Sequence, residues 1–272
     1  MKKSIMIGLM ALLMARDGMA AWERTRSGGR SGAMGGTSVT QNDFWSLNNN
    51  QAGTAWFKGI SAGFSFGNEF LMKELMNEQI GVAIAFKAGT IGLLVNRFGN
   101  NQYCETNAGL SFARKFGKQF AVGIQMDYLG IKISDNYGNK NLLSCEIGLM
   151  YHADKHLSVG VQLINPVPVK IIVTPVERLP STICIGISYS FSNEFLTTVE
   201  AEKDLENPLV MRAGAEYHLA APVYARIGIS ANPISFSFGA GLEFGKINFD
   251  LASSYHQALG FSPSGSIIYS FK

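Results

Sequence analysis

The chain has 272 residues and a formal net charge of +3; 47% of the residues are hydrophobic, 16% are charged and 30 are glycine. The near-neutral charge argues against nucleic acid as a partner, and the charged content is below the roughly 25% of a soluble domain. No apolar run reaches the ~18–20 residues that a membrane-spanning helix needs. A chain that is apolar overall but never continuously apolar is typical of a membrane β-barrel, with a soluble all-β protein as the alternative.

The first twenty residues have the pattern of a secretory signal peptide. Lys2 and Lys3 form a basic start, residues 5–15 are apolar, and residues 18–21 offer a small-residue cleavage site. We therefore expect residues 1–20 to be removed on export. The expected location is the outer membrane of a Gram-negative cell, which the chain would cross many times.

Residues 21–55 show no alternation of apolar and polar side chains. They are rich in Gly, Ser and Asn, with a pattern for one short helix over 43–47. Such a segment cannot cross lipid, because its backbone polar groups would stay unpaired there. We predict that it lies in the periplasm or inside a barrel lumen.

Period-two alternation starts at Trp56 and continues to the end of the chain, as in strands with lipid on one side and a polar lumen on the other. It predicts an all-β fold, a transmembrane 14-stranded antiparallel β-barrel over residues 56–272, with residues 21–55 as an N-terminal plug segment in the lumen. An even strand number suits a single-chain bacterial barrel. The predicted strands cover 56–66, 80–86, 91–95, 103–114, 119–132, 141–152, 156–164, 181–191, 194–203, 209–219, 223–230, 234–244, 247–256 and 266–271.

The connections between the predicted strands alternate in length. Those at one end are short turns, which suits the periplasmic side of a barrel. Those at the other end include four longer segments, which we predict to be extracellular loops: 67–79, 133–140, 165–180 and 257–263. Four prolines make 165–180 the longest predicted loop, and its residues 169–173 have the pattern of a short hairpin arm.

Inward positions of the predicted strands carry either small residues or charges. Glycine weakens a strand, so a row of inward glycines indicates that another segment approaches the wall closely. Arg212, Glu216 and Arg226 are candidate lumen residues, which would pair with each other or with plug arginines such as Arg24, Arg26 and Arg30. The alternative is a solvated wall with small residues where its curvature is strong.

Catalytic chemistry has little support in the sequence. His156 and Ser158 share one strand face, a spacing that resembles one used by a lipid A deacylase, so an outer-membrane lipid hydrolase is a remote alternative. Both side chains should point inward after a periplasmic turn, which is the wrong end for outer-leaflet lipid. The three cysteines lie at no metal-ligand spacing, and no cofactor fingerprint is present. We predict no enzyme activity, catalytic residue, cofactor or metal.

Two short motifs near the N-terminus resemble those of a known family. Residues 29–39 read GRSGAMGGTSV and residues 50–53 read NQAG. They are similar to the "G-A-R-x-x-x-M-G-G-x-x-V" and "N-P-A-G" elements of FadL-type outer-membrane transporters and the related PorV and PorQ proteins of the Bacteroidetes, with Gln51 where proline is usual. The resemblance implies a fourteen-stranded barrel with a plugged lumen. The plug residues that it implies are Arg30, Met34, Gly35, Gly36, Asn50 and Gly53.

The resemblance leaves two functions open. FadL-type members pass hydrophobic molecules through the lumen or sideways through a gap in the wall, so a hydrophobic ligand is the first expectation. PorV-type members are accessory barrels of the type IX secretion system, and a secretion-system barrel would then be the partner. In both cases outer-membrane lipid surrounds the barrel. The last strand, which ends on Phe271, resembles the signal that the outer-membrane assembly machinery recognises.

Overall fold

A computed structural model describes residues 26–133, 138–167, 170–171, 177–204 and 207–271. The predicted signal peptide at residues 1–20 and the predicted plug arginine Arg24 lie outside the described residues. Within the described part the main element is a closed β-barrel, and short helices occupy the stretch that precedes it.

Fourteen of the strands in the described residues close into one antiparallel barrel, in which β1 pairs with β16. The strands are β1 (Ile60–Asn68), β2 (Met76–Phe86), β3 (Gly89–Gly99), β4 (Tyr103–Phe116), β5 (Phe120–Ile133), β6 (Gly138–His152), β7 (Leu157–Ile164), β8 (Lys170–Ile171), β9 (Glu177–Arg178), β10 (Thr182–Ser190), β11 (Phe195–Asp204), β12 (Val210–Ala220), β13 (Val223–Ser230), β14 (Ser235–Phe244), β15 (Ile247–His256) and β16 (Gly260–Phe271). Strands β8 and β9 form a separate two-stranded ladder in the connection between β7 and β10. The predicted fold class is confirmed.

The two ends of the barrel differ in the length of their connections. The first strand begins and the last strand ends on one side, here called the terminal end, where every connection spans two to four residues. On the opposite side, the loop end, residues 69–75 join β1 to β2 and residues 165–181 separate β7 from β10. Outer-membrane barrels have their short turns in the periplasm and their longer loops outside, so the terminal end is the periplasmic one.

The outer face of the barrel is apolar. Ile80, Leu110 and Ile227 are each about three-fifths exposed, at 59%, 58% and 64%. The side chains between them along each strand point into the lumen and are buried, as Gln79 and Ala83 are on β2. A closed band of exposed aliphatic and aromatic side chains is stable against hydrocarbon rather than water. This surface is that of an outer-membrane barrel.

None of the helices in the described residues is both long and apolar enough to cross a membrane. Several predicted boundaries differ from the structure. β2 begins at Met76 rather than Ile80, and β3 covers Gly89–Gly99 rather than 91–95. β1 begins at Ile60 rather than Trp56, because residues 51–56 form a 3-10 helix. The short helix predicted over 43–47 lies at Ser46–Asn49. The predicted loop 257–263 is a turn of three residues, since β16 already begins at Gly260; serines on its lumen face hid the alternation.

Candidate functional site

The lumen of the barrel contains residues 26–57, here called the lumen segment. It comprises α1 (Gly29–Ala33), α2 (Ser46–Asn49) and the 3-10 helix η1 (Gln51–Trp56). The side-chain oxygen of Asn50 accepts the Ala52 N–H at 3.2 Å and so caps the start of η1. Met34 and Leu47 are fully buried. The segment therefore forms the core of the barrel rather than a surface loop.

A belt of glycines on the inner wall receives the lumen segment. At nine of them an added Cβ would lie 2.0–2.6 Å from an atom of the segment, a distance that no real side chain tolerates. These are Gly63, Gly92, Gly123, Gly148, Gly160, Gly186, Gly214, Gly228 and Gly239. The shortest distances, both 2.0 Å, would be from a Cβ added at Gly228 to the Gly35 nitrogen and from a Cβ added at Gly92 to the Leu47 side chain. The inward glycines thus mark the close approach that the sequence predicted.

Two ion clusters join the lumen segment to the wall. In the first, the Arg26 guanidinium donates to Glu200 at 2.7 Å and to Glu202. Arg212 donates to Glu202 at 3.0 Å. The second oxygen of Glu200 accepts the backbone N–H groups of residues 38–39 at 2.8 and 2.9 Å. These charge-assisted bonds satisfy a carboxylate that is only 1% exposed, which would otherwise be strongly unfavourable.

The second ion cluster is centred on Glu216. Its two oxygens accept Nη2 and Nε of Arg30 at 2.7 and 2.8 Å, a bidentate pair, and one of them also accepts Nε of Arg226 at 2.6 Å. Arg226 donates onward to Asp250 at 2.5 Å, and Arg30 to Asp43 at 3.3 Å. Burial raises the pKa of the Asp43 carboxyl, an effect that the Arg30 charge opposes. Three acidic side chains here share two arginines.

Amide side chains hold the middle of the lumen segment. Asn50 donates to the carbonyl oxygen of Val39 at 2.6 Å and to that of Leu149 on β6 at 3.1 Å. Gln51 donates to the Glu146 carboxylate at 2.7 Å. A proline at position 51, as in the resembled motif, has no such donor. The departure from the motif therefore adds a bond to the wall.

An apolar cluster lies where the lumen segment faces β1–β3 and β16. Its members are Phe44, Trp45, Leu47, Ala83, Leu94 and Ile268, with Phe57 packed against them. The indole Nε1 of Trp45 is buried and has no hydrogen-bond partner among the described residues. Apolar packing therefore holds this side of the segment, whereas the ion clusters hold it against β11–β13 and β15.

The residues singled out from the sequence all lie in the lumen segment or against it. They are Arg30, Met34, Gly35, Gly36, Asn50, Gly53, Arg212, Glu216 and Arg226. Gly35 and Gly36 have φ angles of 72° and 81°, a left-handed backbone that favours glycine. Gly53 is closely packed, since an added Cβ would lie 2.5 Å from the Gln41 carbonyl oxygen.

Other contacts of the lumen segment were missed in the sequence. Trp45 and Leu47 lie in a stretch without periodicity, so nothing marked them as core residues. Gln162 donates to Glu146 at 3.0 Å and to the Asn48 carbonyl oxygen at 3.2 Å. An inward polar residue on a strand was a usable signal for Gln162. Its partner Asn48 is 114 positions away, and no spacing rule reaches that far.

The structure separates the histidine and serine that suggested a lipid hydrolase. Nδ1 of His152 lies 2.6 Å from the Ser158 hydroxyl, whereas His156 bonds a backbone carbonyl. Trp56 packs edge-on against His152. Asp154 accepts backbone N–H groups of its own turn. His156 and Ser158 therefore do not bond each other, and the serine that does bond a histidine lies at the terminal end of the lumen.

One group of side chains in the described part of the chain brings metal-ligating atoms together. Atoms of Cys184, Glu200 and Glu202 lie within 4.8 Å of one another. Arg26 and Arg212 already place their guanidinium groups on the two carboxylates. The group therefore fits an ion-pair cluster better than a metal site.

The barrel wall beside the site is continuous. Among the described barrel strands the pairing register shifts at one place, between His218 and Ala220 near the terminal end. The ladders of β2 with β3 and of β3 with β4 run without a break. The described wall therefore shows no sideways gap of the kind that the resemblance implies.

Comparison with known proteins places the fold. No family model and no curated protein matches the sequence. A Pseudomonas aeruginosa FadL homologue has a similar structure, with a TM-score of 0.72 and 10% identity over 93% of this chain and 100% of that one. The deltaS2S3 mutant of the TodX monoaromatic hydrocarbon channel has a TM-score of 0.70 and 12% identity over 90% of this chain and 98% of that one. The CymD monoaromatic hydrocarbon channel has a TM-score of 0.67 and 15% identity over 90% of this chain and 97% of that one. The last two are described as channels, and at such low identity the chain shares with all three the fold of FadL-type outer-membrane barrels.

Proposed function

We propose that this protein is an outer-membrane channel for hydrophobic molecules, closed in the described conformation by the lumen segment. The observation that carries the proposal is the apolar cluster between the segment and β1–β3, which provides an apolar route along one side of a lumen whose opposite side carries the ion clusters. Its fold neighbours, described as monoaromatic hydrocarbon channels, support the choice of ligand class.

The two sides of the lumen segment differ in how readily a hydrophobic molecule could displace them. On the apolar side, the molecule replaces contacts of Phe44 and Leu47 with contacts of the same kind, and neither side chain has a hydrogen bond to break. On the charged side, departure of Arg26 and Arg30 would leave each buried carboxylate group with one counter-charge fewer. We infer that the segment yields on its apolar side and stays anchored at the ion clusters.

Uptake by whole cells tests this proposal. Cells that lack their own hydrocarbon channels would express the protein, and the initial uptake of a radiolabelled monoaromatic hydrocarbon would be compared with that of a sugar of similar size. We expect hydrocarbon uptake to rise above the vector control while sugar uptake stays unchanged. Equal increases for both solutes would indicate a general pore, and no increase for either would contradict the proposal.

A variant with a single tryptophan reports on the site directly. Trp22→Phe and Trp56→Phe leave Trp45 as the one indole, next to Leu47 in the apolar cluster. Titration with the hydrocarbon should shift the emission of Trp45 and reach saturation. Leu47→Asn, which makes the cluster more polar, should weaken the titration. An emission that stays constant for both variants would show that the cluster is not the route.

A second candidate function has one observation in its favour. Leu71 and Val167, both in connections at the loop end, are 64% and 66% exposed, and Met72 beside Leu71 is 48% exposed. Apolar side chains beyond the membrane surface suit a protein partner, as an accessory barrel of the type IX secretion system would need. Purification from gently solubilised outer membranes tests this. A large barrel that accompanies the wild type but not Leu71→Asp would favour the secretion role.

A further inference from the structure

The terminal end of the barrel has an uneven distribution of charge. Its exposed side chains, among the described residues, include seven basic and three acidic ones. The basic residues are Lys58, Lys87, Arg114, Lys115, Lys118, Lys155 and Lys246, and the acidic residues are Asp154, Glu194 and Glu243. At the loop end the described basic and acidic side chains are nearly equal in number. The excess of positive charge is therefore specific to one end.

The basic side chains form one continuous arc around the rim, here called the basic arc. Two locations are on strands, at the start of β1 and near the end of β4. The others are the turns between β2 and β3, β4 and β5, β6 and β7, and β14 and β15. These locations follow one another around the terminal end of the barrel. The turns after β10 and β12 carry Glu194 and no basic residue. Asp154 is bonded to its own turn and Glu243 to the Tyr224 hydroxyl. No salt bridge found in the described chain involves a residue of the basic arc.

An aromatic belt lies beside the basic arc on the lipid-facing surface. Its ring pairs, with centroid separations of 6.3, 6.4 and 4.6 Å, are Phe86 with Phe112, Phe116 with Phe120, and Tyr269 with Phe271. The Arg114 guanidinium lies 5.9 Å from the centre of the Phe116 ring. Aromatic belts lie at the level of the lipid headgroups. The basic arc is therefore at the depth of the lipid phosphates.

We propose that the basic arc binds anionic phospholipid headgroups of the periplasmic leaflet. Basic side chains at this depth are attracted to anionic lipid and much less to zwitterionic lipid. The arc spans several adjacent turns, so several headgroups bind at once beside β14–β16 and β1–β7. The β10–β13 side has no such cations and recruits none. The barrel thereby gathers anionic lipid along one part of its circumference.

Native mass spectrometry of the full-length barrel tests this proposal. The protein would be mixed with equimolar phosphatidylglycerol and phosphatidylethanolamine of identical acyl chains, and the retained lipids counted. The test variant replaces Lys58, Lys87, Lys115 and Lys118 with Gln; the matched control replaces Lys73, Arg97, Lys132 and Lys203, four exposed basic residues of the loop end. We expect wild type and control to retain phosphatidylglycerol in about tenfold excess or more, and the excess to fall severalfold in the test variant, which keeps three of the seven basic residues.

Two further conditions distinguish the binding of a lipid headgroup from the binding of a free anion. Raising the salt to about 500 mM should reduce the preference, because it screens exposed charges. Excess inorganic phosphate should not displace the lipid; displacement would overturn the proposal in favour of a free-phosphate site. Equal retention of both lipids by the wild type, or an unchanged preference in a test variant that keeps the heat-modifiable mobility of a folded barrel, would also overturn it.

Discussion

Replacing Glu216 with Gln tests whether the second ion cluster holds the lumen segment in place. Glu216 accepts two charge-assisted bonds from Arg30, at 2.7 and 2.8 Å, and one from Arg226 at 2.6 Å. Glutamine has almost the same size, but it is uncharged and accepts at one atom only. Breaking a buried ion pair by removing one partner costs about 3–5 kcal/mol. Asp43 and Asp250 still face the two arginines in the variant. We therefore expect Glu216→Gln to weaken the attachment of the lumen segment by about 2 kcal/mol.

A loss of about 2 kcal/mol changes the equilibrium constant between the attached and the released lumen segment by roughly 30-fold. Single-channel recording in planar bilayers should therefore show openings that are more frequent by a factor of that order. Glu78→Gln is the control, because Glu78 pairs with Arg97 at 3.8 Å on the exposed outer face, where an ion pair contributes only about 0–1 kcal/mol. If Glu216→Gln opens no more often than this control, the ion cluster does not hold the segment.

Two other substitutions give independent tests. Gly228→Ala would place a Cβ 2.0 Å from the Gly35 nitrogen. Overpacking costs about 1–3 kcal/mol, so this variant should have a lower melting temperature than the wild type. Gly67→Ala, whose added Cβ would have its nearest neighbour at 3.7 Å, should melt like the wild type. Because burial raises the Asp43 pKa above its usual 3.8, the folded state binds this proton more tightly than the unfolded state, and stability is lost as the pH rises above 3.8. Asp43→Asn should therefore reduce the fall in melting temperature from about pH 4 to about pH 7; an equal fall in both proteins would contradict this.

The barrel was predictable because every spanning strand has the same two environments. Lipid on one face and lumen on the other impose period two, so the strand count and most strand positions follow from the sequence. The prediction was wrong at Trp56, which ends a 3-10 helix. By chance, Trp56, Lys58 and Ile60 have the spacing of one strand face, so the predicted strand began too early. It was also wrong over 257–263. Phe261 is exposed on the outer face of β16, but Pro263 and Gly265 interrupt that apolar face and serines line the other.

The approach of the lumen segment to the wall was predictable, but its pairings were not. Inward glycines indicate that something lies close, because a row of missing side chains leaves room along the wall for another segment. Arg30 and Glu216 were both named as candidates, but they are 186 positions apart and only the closed barrel brings them together. The bond from Gln51 to Glu146 spans 95 positions in the same way. Such pairings depend on barrel closure and strand stagger, which local sequence patterns do not contain.

The most direct test of a lumen closed by residues 26–57 is the single-channel conductance of a deletion variant that lacks residues 28–53. This variant keeps β1 to β16, and its folded barrel would be checked by heat-modifiable mobility. With the glycine belt emptied and the contacts of Arg30 and of the backbone at residues 38–39 removed, we predict a large, steady conductance that the wild type lacks. A conductance equal to that of the wild type would show that this segment does not close the lumen.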